Sequence, residues 1–287
     1  MAFTATTLNS AGAWRPDGYA FAAADVLPDS LYLQCTTKAG EIQGDMPVCR
    51  VAYIDDAAAE FTAEGTEIPE SEPDLAEVLV ATGKVSQLIR LSREQFVQPQ
   101  TADQLSQSVA RAVQRRADLA FVQQAAPTPP ALGPSTGLGT IAGLVDGGEV
   151  TENLDALVDL VAELQENLSN PSLILMSPTA WAEFRKLKVG APATNSSLIG
   201  AGTTDAEQLL LSLPVLVNVA VPPLSGFVID KSAVVSAYGT VNVNTSDHQF
   251  FSSDSVAVRC TWRVGHNVVR PNRIGKFTIA ATVFEGS

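Results

Sequence analysis

Cysteine, histidine and basic side chains are all scarce in this 287-residue chain. The three cysteines, Cys35, Cys49 and Cys260, are widely separated and form no CxxC pair. That argues against a zinc ribbon or a disulfide framework and fits a reducing compartment. The only histidines are His248 and His266, too few for a two-histidine metal centre unless the fold happens to join them. Asp247 adjoins His248, but neighbouring strand residues point to opposite faces, so a solvated loop histidine is the expectation there. His266 lies within a long strand pattern and reads as a structural histidine. Lys and Arg total 18 against 31 Asp and Glu, a net charge of −13, the opposite of what gripping phosphates requires. The N-terminus has no basic and apolar export signal. No apolar run approaches the roughly 20 residues of a membrane helix. P-loop, HExxH and GxSxG patterns are missing too. No catalytic, cofactor-binding or metal-ligating residue is assigned, and no cofactor is expected.

What is present is ordered-protein composition, 46% hydrophobic and 17% charged, and one anomalous stretch. Asp55, Asp56, Glu60, Glu64, Glu67, Glu70, Glu72, Asp74 and Glu77 follow one another with no Lys or Arg between them. Before this run comes "PVCRVAYID" and after it "KVSQLIRLS", both strand-like. The expectation is one giant hairpin, its strands joined by a loop well past the roughly 12–15 residues at which structureless loops become functional or disordered. A self-repelling segment with so little to bury takes its order from outside the subunit.

Along the rest of the chain, residues 1–28 read as an arm carrying Trp14, Tyr19 and Phe21. Leu31–Leu33 and Val48–Ile54 suggest strands, with turn chemistry at Lys38–Gly44. On the far side of the acidic run, Val85, Gln87, Ile89 and Leu91 alternate with Lys84, Ser86, Leu88, Arg90 and Ser92. The segment 101–126 is a long helix opened by a Thr101/Gln104 capping box, with Arg111, Arg115 and Arg116 off its apolar stripe. "PTPPALGPSTGLGT" marks a boundary. Its GxGxxA pattern from Gly137 to Ala142 lacks the preceding strand that dinucleotide binding needs, and reads as an interdomain turn. A helix striped by Leu154, Leu157, Val161 and Leu164 follows, then a buried strand at Leu173–Met176. Ser177-Pro178 supplies an N-cap and first turn for another helix. Beyond Val234 the pattern is all β.

Six stretches in this order resemble the major capsid proteins of tailed bacteriophages, the Hong Kong 97-like capsid fold family. They are "AEFTAEGTEIPESEPDLAEV" with "KVSQLIRLSREQF", "TADQLSQSVARAVQRRADLAFVQQA", "NPSLILMSPTAWAEFRKLK", "LLSLPVLVNVAVPPLSGFVIDKSAVVSAYG" and "DHQFFSSDSVAVRCTWRVGHNVVRP". The resemblance implies an α+β fold with an N-terminal arm, 1–28, and a first part of the P (peripheral) domain, 29–134. That part includes an E-loop, 55–82, and a spine helix, 98–126. It further implies an A (axial) domain, 135–240, return strands of the P domain, 241–270, and a closing A-domain strand, 271–287.

On this resemblance the chain self-assembles as hexamers and pentamers into an icosahedral shell enclosing double-stranded DNA, without sequence-specific binding. A portal at one vertex, a separate scaffolding protein and cement or decoration proteins are the implied partners, with no membrane. The location would be the virion capsid, assembled in the bacterial host cytoplasm. Intersubunit contacts are expected at Glu60, Glu64, Glu67, Ile68, Pro69, Glu70, Glu72 and Asp74 of the E-loop. Their counterparts would be Arg90, Arg93, Arg111, Arg115 and Arg116, with Trp14, Tyr19 and Phe21 of the arm. Some members weld their shells through an E-loop lysine and a neighbour's asparagine. Here no Lys lies between Lys38 and Lys84, and the asparagine's counterpart falls near Asp254, so linkage should be non-covalent. The alternative within the fold is an encapsulin nanocompartment shell; an α/β enzyme and a secreted adhesin are the alternatives outside it.

Overall fold

In the computed structural model, residues 18–21, 23, 27–42, 44, 46–55, 61, 74–96, 101–151, 153–187 and 208–281 are described. Two six-stranded sheets and one separate two-stranded ladder organise them. The first sheet is built on β13 (Ser255–Val268), whose run of alternating Val, Cys and Trp buries one face throughout. One edge of β13 pairs with β5 (Gly83–Ser92). Its other edge pairs first with β12 (Val241–Phe250) and then with β11 (Val234–Tyr238). Beyond these lie β1 (Gly18–Phe21), antiparallel to β12, and β2 (Thr37–Glu41), parallel to β11. The long helix α3 (Thr101–Gln123) lies on the buried face. Its Val109, Val113, Ala117 and Phe121 meet Cys260, Trp262 and Val264 in one core.

The second sheet runs β6 (Val145–Val150), β14 (Gly275–Ile279), β10 (Ser225–Ile229), β7 (Leu173–Met176), β9 (Leu213–Val217), β8 (Leu209–Leu210). Helices α4 (Asp155–Glu166) and α5 (Pro178–Lys186) cover it. The Ser177 hydroxyl accepts from the Ala180 amide at 3.1 Å, the N-cap read from Ser177-Pro178. Packing here is close. A methyl at Gly226 would stand 2.4 Å from the Phe277 ring, so β10 can cross that ring only as glycine.

The giant hairpin expected from the sequence is corrected in its pairing. β3 (Val48–Asp55) does not pair with β5. It pairs with β4 (Asp74–Ala81), eight residues in register from Val48↔Ala81 to Asp55↔Asp74. The C-terminal part of the acidic run is therefore itself a strand, and β5 belongs to the first sheet. Leu31–Leu33 is also corrected: it lies in a short helix, α1 (Leu31–Gln34), where a strand was expected. The Lys38–Gly44 turn gives way to β2 over most of its length. Between β5 and α3 lies one further short helix, α2 (Arg93–Phe96).

The root of the β3–β4 hairpin is held tightly. A methyl at Gly265 would stand 2.3 Å from the Ala81 carbonyl oxygen, so β13 approaches the hairpin as only glycine can. That same oxygen accepts from Ser135 Oγ at 2.5 Å. Thr82 Oγ1 donates to the Met46 carbonyl at 2.6 Å. Val80, fully buried, packs with Ile42, Val235 and Ala237 in a small third core.

Candidate functional site

Among the described residues no group of His, Cys, Asp and Glu could hold a metal ion, and no helix is long and apolar enough to cross a membrane. The GxGxxA stretch falls at the end of α3, where the Gly137 amide donates to the Gln124 carbonyl at 2.7 Å. A methyl at Gly137 would meet backbone at 2.4 Å, so this glycine serves close packing and is no phosphate cradle. Cys35 and Cys260 are buried thiols, pushed up by desolvation to about 12 and about 11, far from the reactive thiolate range. All three cysteines are free.

The hairpin is the first surface. Its ladder ends with Asp55 opposite Asp74. Nearer the root, Arg50 and Glu77 form an exposed pair at 3.4 Å, worth about 0–1 kcal/mol. Phe61 is fully exposed. Glu60, Glu64, Glu67, Ile68, Pro69, Glu70 and Glu72 lie outside the described residues, as does Trp14. Tyr19 and Phe21 lie on β1, opposite Val243 and Val241, so the end of the expected arm is an edge strand of the first sheet.

The expected basic counterparts separate into three places. Arg93 Nε donates to Asp254 Oδ1 at 2.7 Å, and the Arg93 amide bonds the Asp254 carbonyl at 3.0 Å. Asp254 is thus engaged within its own chain. Arg111 and Arg115 are exposed on α3, and Arg116 donates to Gln124 Oε1 at 3.1 Å. Arg90 lies on the outward face of β5, its guanidinium 4.8 Å from the centre of the Phe250 ring.

Asp118 was not legible as a functional residue. It is 4% exposed, and it ties three elements together. Oδ1 accepts from Ser30 Oγ at 3.1 Å and from the Leu31 amide at 2.8 Å, while Oδ2 accepts from Asn218 Nδ2 at 3.3 Å. The carboxylate therefore caps α1, anchors α3 and holds the loop after β9. The one sequence signal is its place beside Ala117 on the buried stripe. Burial raises its pKa, opposed by these hydrogen bonds.

His266 sits nearby, 2% exposed, with Nδ1 3.2 Å from the Tyr32 hydroxyl. The Tyr32 and Phe121 rings stand 5.4 and 4.7 Å away. Desolvation pushes its pKa down to about 4, so its structural role stands. A histidine with a lowered folded pKa stabilises the fold above its unfolded value of 6.5 and loses that contribution as the pH falls toward 4. The loss over that window is about 3 kcal/mol. Asp118 acts oppositely, because a raised carboxyl pKa favours the folded state as pH drops toward 3.8. Urea unfolding at pH 7 and pH 4.5 should show His266→Gln with a flattened acid slope and Asp118→Asn with a steepened one. Unchanged slopes in both would refute the assignment.

A family model described as the phage capsid family matches residues 39–279. Among solved structures, the capsid of an empty GTA particle is 18% identical, covering 88% of this chain and 90% of that one, with a TM-score of 0.66. A chain of Mycobacterium phage Bobi is 15% identical over 88% and 91%, TM-score 0.65. One of Mycobacterium phage Adephagia is 15% identical over 99% and 96%, also at 0.65. No curated protein matches. The matched span takes in the hairpin, α3, the second sheet and the first sheet except β1 and the start of β2.

Proposed function

This chain belongs to the phage capsid family, and we propose that it builds its icosahedral shell from hexamers and pentamers around double-stranded DNA. It is a major capsid protein of the tailed-phage type and a component of the virion shell. The observation that carries this is the family match over residues 39–279, which favours a phage capsid over an encapsulin shell.

The first sheet with α3 serves as the P domain, and the second sheet with α4 and α5 as the A domain. The β3–β4 hairpin with residues 56–73 serves as the E-loop, laid over a neighbouring subunit, and residues 1–28 as the N-terminal arm. Linkage is non-covalent, because the hairpin has no lysine to weld and the counterpart of the family's cross-linking asparagine falls near Asp254. Assembly takes place in the host cytoplasm, aided by a separate scaffolding protein, and a portal and cement proteins complete the particle. Each contact is small, and repetition around every capsomer makes the sum large.

Negative-stain microscopy of the overexpressed chain, with and without co-expressed scaffold, tests the reading. Closed polyhedra, tubes or capsomer rings are expected. A chain that stays monomeric at high concentration with scaffold supplied would overturn it. Particles filled with protein cargo and lacking DNA in infected cells would point to the encapsulin alternative.

A further inference from the structure

Two helix faces of opposite charge stand unanswered within the chain. The solvent-facing ridge of α3 runs Gln107, Arg111, Arg115, Leu119, all exposed and each four residues from the next, so these side chains stack in one row. Between Gln104 and Asp146 the only acidic residue is Asp118. It is buried and turned inward to Ser30, Leu31 and Asn218, away from the ridge. Arg111 and Arg115 have no ionic partner among the described residues.

Helix α4 carries the other sign. Its residues contain no Lys or Arg, and Leu157, Leu160 and Leu164 bury its inner side. Outward, Asp155, Asp159, Glu163 and Glu166 are exposed at helical spacing, beside a short row of exposed Val158 and Ala162. Asp159, Glu163 and Glu166 make no ion pair among the described residues. Like charges four apart on a helix repel, so each face is less stable bare than covered by the other. The chain cannot make that match within itself. Along β7 and β10, Ile174, Met176 and Val228 face α4, while Leu173, Leu175, Phe227 and Ile229 face the core shared with α3. The second sheet therefore stands between the two helices.

We propose that the acidic face of α4 in one copy packs on the arginine ridge of α3 in the next, joining successive subunits head to tail. The inference rests on the shell reading above and names the surfaces that join neighbours within a capsomer. Two unlike surfaces on opposite sides of a sheet form a heterologous contact, and such contacts close into a ring where the rotation per step allows it. Charge and spacing carry the match. Arg111 and Arg115 are one turn apart, about 6 Å along the axis, as are Asp155, Asp159 and Glu163. Rows of this kind interdigitate in the commonest helix packing, and each guanidinium can then fork to a carboxylate. Exposed Leu119, one turn beyond Arg115, falls against the Val158–Ala162 row. The α3 arginines thus gain a partner of fixed spacing in place of the acidic segment expected from the sequence.

The test is a charge swap in the full-length chain. Arg111→Glu with Arg115→Glu, both exposed positions, should leave the melting temperature unchanged and lower particle yield about tenfold or more. Asp159→Arg with Glu163→Arg should do the same, and the four substitutions together should restore particles. A second readout does not depend on reversed chains folding. Arg115→Cys with Glu163→Cys in one chain should give a ladder of linked subunits on non-reducing gels of oxidised particles, and either substitution alone should give none. Normal particles from either reversal, no rescue by the swap, or no ladder would overturn the inference while the shell reading stands. So would rescue of the α3 reversal by Glu70→Lys with Glu72→Lys, which would assign the ridge to the acidic segment. A reversal that spares assembly and lowers only the retained DNA would also overturn it and mark the ridge as a nucleic-acid contact. If the unmodified chain forms no particle at all, the shell reading falls and takes this one with it.

Discussion

A chain in which residues 56–73 are replaced by Asn-Gly is expected to fold and melt like the native one and to form no closed shell. The substitution is geometrically mild. Asp55 and Asp74 are the last register pair of the β3–β4 ladder, and Asn-Gly is the two-residue turn best matched to strand twist. Among the described residues, the three hydrophobic cores are assembled from residues outside the replaced stretch, and Phe61 within it is fully exposed. The expected loss is therefore in assembly. Thermal melting by circular dichroism checks the fold, and sedimentation with negative-stain microscopy checks assembly. Shells of normal yield from the shortened chain would mean that the acidic flap is dispensable.

The second large effect is expected inside the subunit, at Trp262. It is fully buried between α3 and the first sheet. Its Nε1 donates to the Gly239 carbonyl at 3.0 Å, and its ring stands edge-on to Tyr32 at 5.9 Å. Trp262→Ala should cost about 3–5 kcal/mol from lost burial and the cavity left behind. The orphaned Gly239 carbonyl adds about 1–3 kcal/mol. Against a total stability of about 5–15 kcal/mol, such a chain should be marginal or unfolded at 37 °C. Trp262→Phe, which keeps most of the apolar volume, should retain the fold with a smaller fall in urea midpoint. Equal falls for both substitutions would show that ring volume matters little at this position.

What could be read from residues alone follows from the range over which each signal acts. The alternation on β5 is a property of neighbouring residues, and its exposed and half-buried positions alternate as read. The Ser177 cap and the length of α3 are local in the same sense. Leu31–Leu33 failed because a three-residue apolar run fits strand and helix equally. What makes it helical is capping by Asp118, 87 residues away. Lys38–Gly44 reads as a turn in sequence because the strand partner of Thr37–Glu41 is β11, nearly 200 residues on. The hairpin was paired wrongly for a related reason. Thr82 sits between two consecutive strands, and nothing local says that Ala81 turns aside while Gly83 enters the sheet.

Strand pairing shows the same limit at the candidate site. Lys84 and Arg90 were visible as one side of a strand, but Arg259 and Arg263 join them only through the pairing of β5 with β13. The helical arginines stood out because they are adjacent in sequence.

Finally, the clamped root of the hairpin sets a tolerance on geometry. Eight paired residues make a beam of about 27 Å, so a tilt of only 5° at the root displaces the far end by about 2 Å. Gly265, Ser135 and Thr82 fix the angle at which that beam leaves the body. Small substitutions at this fulcrum would therefore be amplified along the beam, misaiming its tip while leaving every local contact of the tip intact.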